Sequence, residues 1–148
     1  MSKIKVMLIN PNPRQMSLVQ PVVALFYSIF KQNGIDMRFF DTTFYDVSAK
    51  YVDPELYTQS IRDVKLVKEN KDDEPSNFGS KSANKHFDDL YADFRAEVES
   101  YKPDVLMISA LESTITFARD LLRAVRDLGV THVLGGVFAT YAPELALS

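Results

Sequence analysis

From Ile4 to Ile9 the chain is apolar except for Lys5, the run expected of a strand buried on both faces, as in a parallel sheet. Val22, Leu25, Phe26, Ile29 and Phe30 then recur at helical spacing between Pro21 and Asn33, with the proline early in the segment and Gly34 just past its end. The spacing predicts a helix there, and Ile35 to Asp41 returns to a strand pattern. Pro103-Asp104 stops a helix and introduces a third strand, Val105 to Ser109. Phe87, Leu90, Tyr91, Phe94, Val98 and Tyr101 share one helical stripe; Ala118, Leu121, Leu122, Val125 and Leu128 share another, in a segment that Gly129 terminates. Both stripes are expected to pack on the sheet. Thr131 to Gly135 reads as a fourth strand, and Pro143 opens a further helix.

Alternating strand and helix signals predict an α/β fold, a Rossmann or flavodoxin-like parallel sheet in the order 2-1-3-4. Such folds usually carry a fifth strand after the last helix, so the chain reads as a piece that lacks its last strand through truncation. Its 148 residues are expected to form one domain, 1–148. Phe44 to Lys85 interrupts the alternation at a length far beyond a usual link, and reads as an insertion over 44–85. A solvated loop with a short helix around Pro54 to Val67 is expected within it, a functional lid being the alternative. Arg62 to Ser82 holds few apolar residues to offset the entropy of ordering, and Asp72 to Ser80 has the composition of a mobile segment. Amide exchange is expected to be fastest there.

Composition narrows the function more by exclusion. A net charge of −3 leaves no basic footprint for nucleic acid, and no stretch has the length of a membrane span or the form of a secretory signal, so a soluble cytoplasmic protein is expected. With no cysteine, these residues can hold neither a disulfide, a thiolate zinc site nor a Cys-ligated iron–sulfur cluster.

Right-handed crossovers put the loops that follow the strands at the carboxyl edge of the sheet, where open α/β folds bind ligands. Three segments fall there. The first is Asn10-Pro11-Asn12-Pro13-Arg14, opening a loop that runs to about Gln20. The second is Ser109-Ala110-Leu111-Glu112-Ser113-Thr114, whose hydroxyls can donate to a ligand. Ser113 or Thr114 equally suits the N-cap of the helix that follows, and Glu112 can serve the helix dipole or accept from a ligand amide. The third is Gly135-Gly136-Val137-Phe138-Ala139-Thr140, where two glycines suit close approach of a large ligand to the backbone, a turn that requires positive φ being the alternative. Of the two histidines, His132 lies at the amino end of its strand, about 10 Å from the ligand edge at roughly 3.3 Å per residue. His86 opens a helix after the insertion, and neither is expected to ligate a metal.

There is no Gly-x-Gly-x-x-Gly or P-loop, and a receiver domain would place acids where Asn10-Pro11 and Ser109 stand. Leu8-Ile9-Asn10-Pro11, Ser109-Ala110-Leu111-Glu112 with Thr114, and Gly135-Gly136 with Thr140 and Pro143-Glu144 instead resemble the N-terminal cobalamin-binding domain of B12-dependent radical SAM enzymes. The wider B12-binding signature is Asp-x-His-x-x-Gly, then Ser-x-Leu, then Gly-Gly. The chain keeps the second and third parts, while Asn10 to Arg14 stands where the histidine motif would be. The resemblance implies base-off cobalamin with no histidine on cobalt. The benzimidazole tail would run beside Ser109, Thr114, Gly135 and Gly136, and the Asn10 to Arg14 loop would lie under the corrin. It also implies a parent enzyme for methyl transfer or radical rearrangement, with SAM and a four-iron cluster on a downstream domain, this chain alone being non-catalytic. A stand-alone cobalamin sensor and a flavodoxin or receiver-like domain without cobalamin are the alternative readings.

Overall fold

The computed structural model describes residues 3–12, 21–43, 45, 47–51 and 87–147. Four parallel strands, β1 (Lys5–Asn10), β2 (Asp36–Asp41), β3 (Val105–Ser109) and β4 (Thr131–Gly135), form one sheet in the order β2-β1-β3-β4. This is the order expected of a flavodoxin-like winding, and the strand bounds agree with the sequence reading to within one residue. The helices are α1 (Pro21–Gln32), α2 (Ser48–Tyr51), α3 (Phe87–Tyr101), α4 (Ile115–Ala124), α5 (Val137–Tyr141) and α6 (Pro143–Leu147), with 3-10 turns at Glu112–Thr114 and Arg126–Leu128.

One face of the sheet carries the core. Met7, Ile9, Phe40, Leu106 and Ile108 alternate along the strands and pack against Leu90, Phe94, Val98 and Tyr101 of α3 and against Phe117, Ala118 and Leu121 of α4. The helix residues among these belong to the two stripes read from helical spacing, except Phe117, which that reading did not include, and they are buried because a helix on a sheet covers a single face. The start of the 44–85 segment lies inside this core. Tyr45 and Val47 are buried, and the Tyr45 hydroxyl donates to Asp93 Oδ2 at 2.7 Å. The Tyr51 hydroxyl donates to Asp120 Oδ2 at 2.7 Å and is also hydrogen-bonded to the Tyr91 hydroxyl. Burial and the adjacent carboxylate push the Tyr51 phenol pKa up. The helix expected around Pro54 to Val67 and the fast exchange expected to Ser82 lie outside the described residues.

On the opposite face Val6 and Leu8 of β1 are buried, but among the described residues the rest of that face is thinly covered. α1 leans on β2, but none of its residues is fully buried, and Val22, Leu25, Tyr27 and Ile29 stay exposed. Over β3 and β4 the same face leaves Met107 half-buried, Val133 43% exposed and Ser109 exposed. A helix was expected to begin at Pro143. The structure adds α5, which starts directly after Gly136 and places Val137, Phe138 and Thr140 on a helical turn.

Candidate functional site

The three predicted segments meet at the carboxyl edge of the sheet. Ser109 pairs with Gly135 across β3 and β4, and Asn10 lies one step beyond the last β1–β3 pair, Ile9 with Ile108. Ala110 N–H donates to Gly135 O at 3.0 Å and Phe138 N–H to Ala110 O at 3.3 Å, stitching the second segment to the third. The two glycines differ. A Cβ on Gly136 would lie 2.6 Å from Ala110 O and 2.8 Å from Ser109 Oγ, and its φ of +92° is one that side chains rarely adopt. A Cβ on Gly135 would meet nothing closer than Ile108 O at 4.0 Å. Gly136 is required by the chain's own packing, while the space at Gly135 is open.

In the middle segment Leu111, Glu112 and Ser113 are exposed on the 3-10 turn. Thr114 takes the N-cap position of α4 but makes no side-chain cap bond, because its Oγ1 accepts from Leu111 N–H at 2.9 Å. The Thr140 hydroxyl likewise donates to Gly136 O at 3.0 Å. Both hydroxyls hold local turns, a use that fits Ser and Thr near helix starts. Val137 is exposed and Phe138 half-buried.

On the first segment Pro11 and Asn12 are buried and tied to the end of β2. Asn12 N–H donates to Thr42 Oγ1 at 2.8 Å, and the Thr42 hydroxyl donates to Asn10 O at 2.9 Å. Asn10 Nδ2 donates to Asp41 Oδ1 at 3.0 Å, and Asn12 Nδ2 donates to Thr43 Oγ1 at 3.0 Å. Asp41, Thr42 and Thr43 escaped the sequence reading. The available signal was a strand ending in Asp-Thr-Thr, which puts three polar side chains on the ligand edge. Pro13 and Arg14 lie outside the described residues.

His132 is the second residue of β4 and pairs with Leu106, so its side chain is on the core face, away from the carboxyl edge. It lines a cavity of about 410 Å³ with Ile115, Arg119, Leu122 and Leu134. Desolvation there lowers its pKa below the ordinary imidazole value. Above about pH 6.5 the ring is neutral in both folded and unfolded chains. Below that the unfolded chain takes the proton first, so stability is lost as the pH falls through the folded pKa. His132→Gln is expected to flatten this part of the pH profile between pH 7.5 and 5.5 in urea unfolding; an unchanged slope would contradict it. His86 lies outside the described residues. Among the described residues no group of three or more His, Cys, Asp or Glu is placed to hold a metal ion, and no helix is long and apolar enough to cross a membrane.

Comparison with curated proteins and with solved structures found no match. The family model of the B12 binding domain matches residues 49–148, well over half of the chain and including both the Ser109 and the Gly135-Gly136 edges. With its four-stranded parallel sheet and flavodoxin-like order, the chain belongs to the B12 binding domain family and is a cobalamin-binding module.

Proposed function

We propose that this module holds cobalamin base-off, with no histidine on cobalt, for a B12-dependent radical SAM enzyme. The observation that carries the reading is the open strip beside Ser109 and Gly135. These two residues are paired on the less covered sheet face, with half-buried Met107 and exposed Val133 below them, and among the described residues other than its chain neighbours only Ile108 O comes as close as 4.0 Å to a Cβ on Gly135. A flat heterocycle fits such an apolar strip, and the Ser109 hydroxyl at its head can bond to a polar group of the tail. The Asn10 to Arg14 loop would lie under the corrin, and the exposed Leu111, Glu112 and Ser113 would face its rim.

Two features support the absence of histidine ligation. Residues 10–20 contain no histidine, and His132 stands on the other face of the sheet. When bound, cobalamin supplies the cobalt chemistry of methyl transfer or radical rearrangement. The residues of this chain bind and orient it, and SAM and the four-iron cluster belong to a separate catalytic domain, since no cysteine is present here.

Reconstitution with cob(II)alamin and EPR spectroscopy tests the ligation. The expected spectrum has no nitrogen superhyperfine splitting on cobalt. Splitting from an axial nitrogen would overturn the base-off, histidine-free reading, and no binding at all would overturn the use of these residues as a cofactor site. The radical SAM assignment is tested separately by the reading frame beyond Ser148, which should encode Cys-x3-Cys-x2-Cys.

A further inference from the structure

The end of β2 contributes no residue to the three motif segments, yet among the described residues it carries the densest side-chain hydrogen bonding on the carboxyl edge. Thr42 is fully buried despite its hydroxyl. That hydroxyl accepts from Asn12 N–H at 2.8 Å and donates to Asn10 O at 2.9 Å, so one side chain clamps the backbone on both sides of Pro11. Asp41 Oδ1 receives three donors: Asn10 Nδ2 at 3.0 Å, Thr43 N–H at 3.1 Å and the Thr43 hydroxyl at 2.6 Å. Having given its proton to Asp41, Thr43 Oγ1 can only accept, and it accepts from Asn12 Nδ2 at 3.0 Å.

The direction of every bond in this chain follows from one fact: a carboxylate accepts and does not donate. Asp41 therefore draws the NH2 end of Asn10 to itself directly and that of Asn12 through Thr43. The Asn10 amide is thereby oriented with its nitrogen on Asp41, which leaves its carbonyl oxygen as the acceptor at the tip of β1.

We infer that Asp41, Thr42 and Thr43 are positioning residues of the cobalamin site, which hold residues 10–12 in one shape and set Asn10 as a hydrogen-bond acceptor for an N–H donor of the ligand. The primary amides around a corrin ring are donors of that kind. This rests on the cobalamin reading above and adds to it a strand end that the motif segments do not include. A preorganised loop binds more tightly because less ordering remains to be done on association.

The experiment is a titration of the chain with hydroxocobalamin, followed by absorbance, for the wild type, Thr42→Val, Thr42→Ser, Asp41→Ala, Asp41→Asn and Asp36→Ala. Thr42→Val keeps the shape and removes the hydroxyl, and with it the bonds to Asn12 N–H and Asn10 O, so that of the clamp around Pro11 only the 3.0 Å bond from Asn12 N–H to Asn10 O and the 3.3 Å bond from Thr42 N–H to Asn10 O remain. It is expected to weaken binding roughly tenfold or more, while Thr42→Ser, which keeps the hydroxyl, restores most of it. Asp41→Ala is expected to weaken binding similarly, with partial recovery in Asp41→Asn, and to supply the test if Thr42→Val does not fold by circular dichroism. Asp36→Ala, at the opposite end of β2, is expected to bind as the wild type does. A folded Thr42→Val or Asp41→Ala chain that binds as tightly as the wild type overturns this inference alone. So does a Thr42→Ser chain as weak as Thr42→Val, because a packing role would then account for the loss. A wild-type chain that does not bind overturns the cobalamin site itself, and this inference with it.

Discussion

Gly136→Ala is expected to cost about 3 kcal/mol of folding stability, whereas Gly135→Leu is expected to fold nearly as well as the wild type and to lose cobalamin binding. The two residues are neighbours, but the protein treats them differently. Gly136 has φ +92° and ψ −178°, a backbone region populated essentially by glycine, and an added Cβ would fall 2.6 Å from Ala110 O and 2.9 Å from Ala110 N. Both obstacles are backbone, which cannot swing aside as a flexible side chain would. Gly135 ends β4 in extended conformation, and its missing side chain points into unfilled space on the face shared with Ser109. Leucine there obstructs the strip proposed for the cofactor's tail without disturbing the core. Urea unfolding and hydroxocobalamin titration of each variant separate the two roles. Equal loss of stability in both, or wild-type affinity in Gly135→Leu, would contradict this division.

Phe94→Ala is expected to destabilise the chain by about 4 kcal/mol, a large part of the roughly 5–15 kcal/mol that holds a typical domain together. Phe94 is fully buried at the centre of α3, and its ring centroid lies 4.9 Å from that of Phe40 on β2. Truncation removes the ring's apolar burial and leaves a cavity that the flanking strand and helix cannot close. The effect should be large because the largest buried cluster lies on the α3 and α4 face, whereas α1 on the other face has no fully buried residue. Leu25→Ala on α1 is the matching control. That side chain is 58% exposed, so its loss is expected to change stability by no more than about 0.5 kcal/mol. Urea midpoints of the two variants check the contrast, and similar shifts would show that α1 carries more of the fold than its exposure implies.

These expectations bear on function through the same asymmetry. The packed face keeps the sheet rigid, and the thinly covered face leaves the strip along β3 and β4 accessible beside Ser109 and Gly135. A binding module needs both properties, since a rigid scaffold holds the edge loops in register while the open face leaves space for the ligand.

Local pattern determined the four strands and the two packed helices, each from a signal between residues close in sequence: a buried apolar run, a stripe at helical spacing, or a glycine or proline at an element's end. The parallel order and the meeting of three segments at the carboxyl edge then followed from the alternation of strand and helix and the right-handedness of crossovers, which restrict such a chain to few topologies. The tertiary structure decided what depends on distant partners. Leu25 and Phe94 both sit on helical apolar stripes, and only the placement of α1 and α3 on the sheet distinguishes an exposed side chain from a buried one. Tyr45 and Val47 join the core because α3, more than forty residues away, supplies the wall they meet. Gly135 and Gly136 are identical in sequence and differ because Ala110 and Ser109 approach only the second. The hold of Asp41, Thr42 and Thr43 on residues 10–12 spans about thirty residues and appears only once β1 and β2 pair. Sequence periodicity reports which face of an element is apolar; which neighbour covers that face, and which polar atoms are brought within bonding distance, are set by the packing of the whole chain.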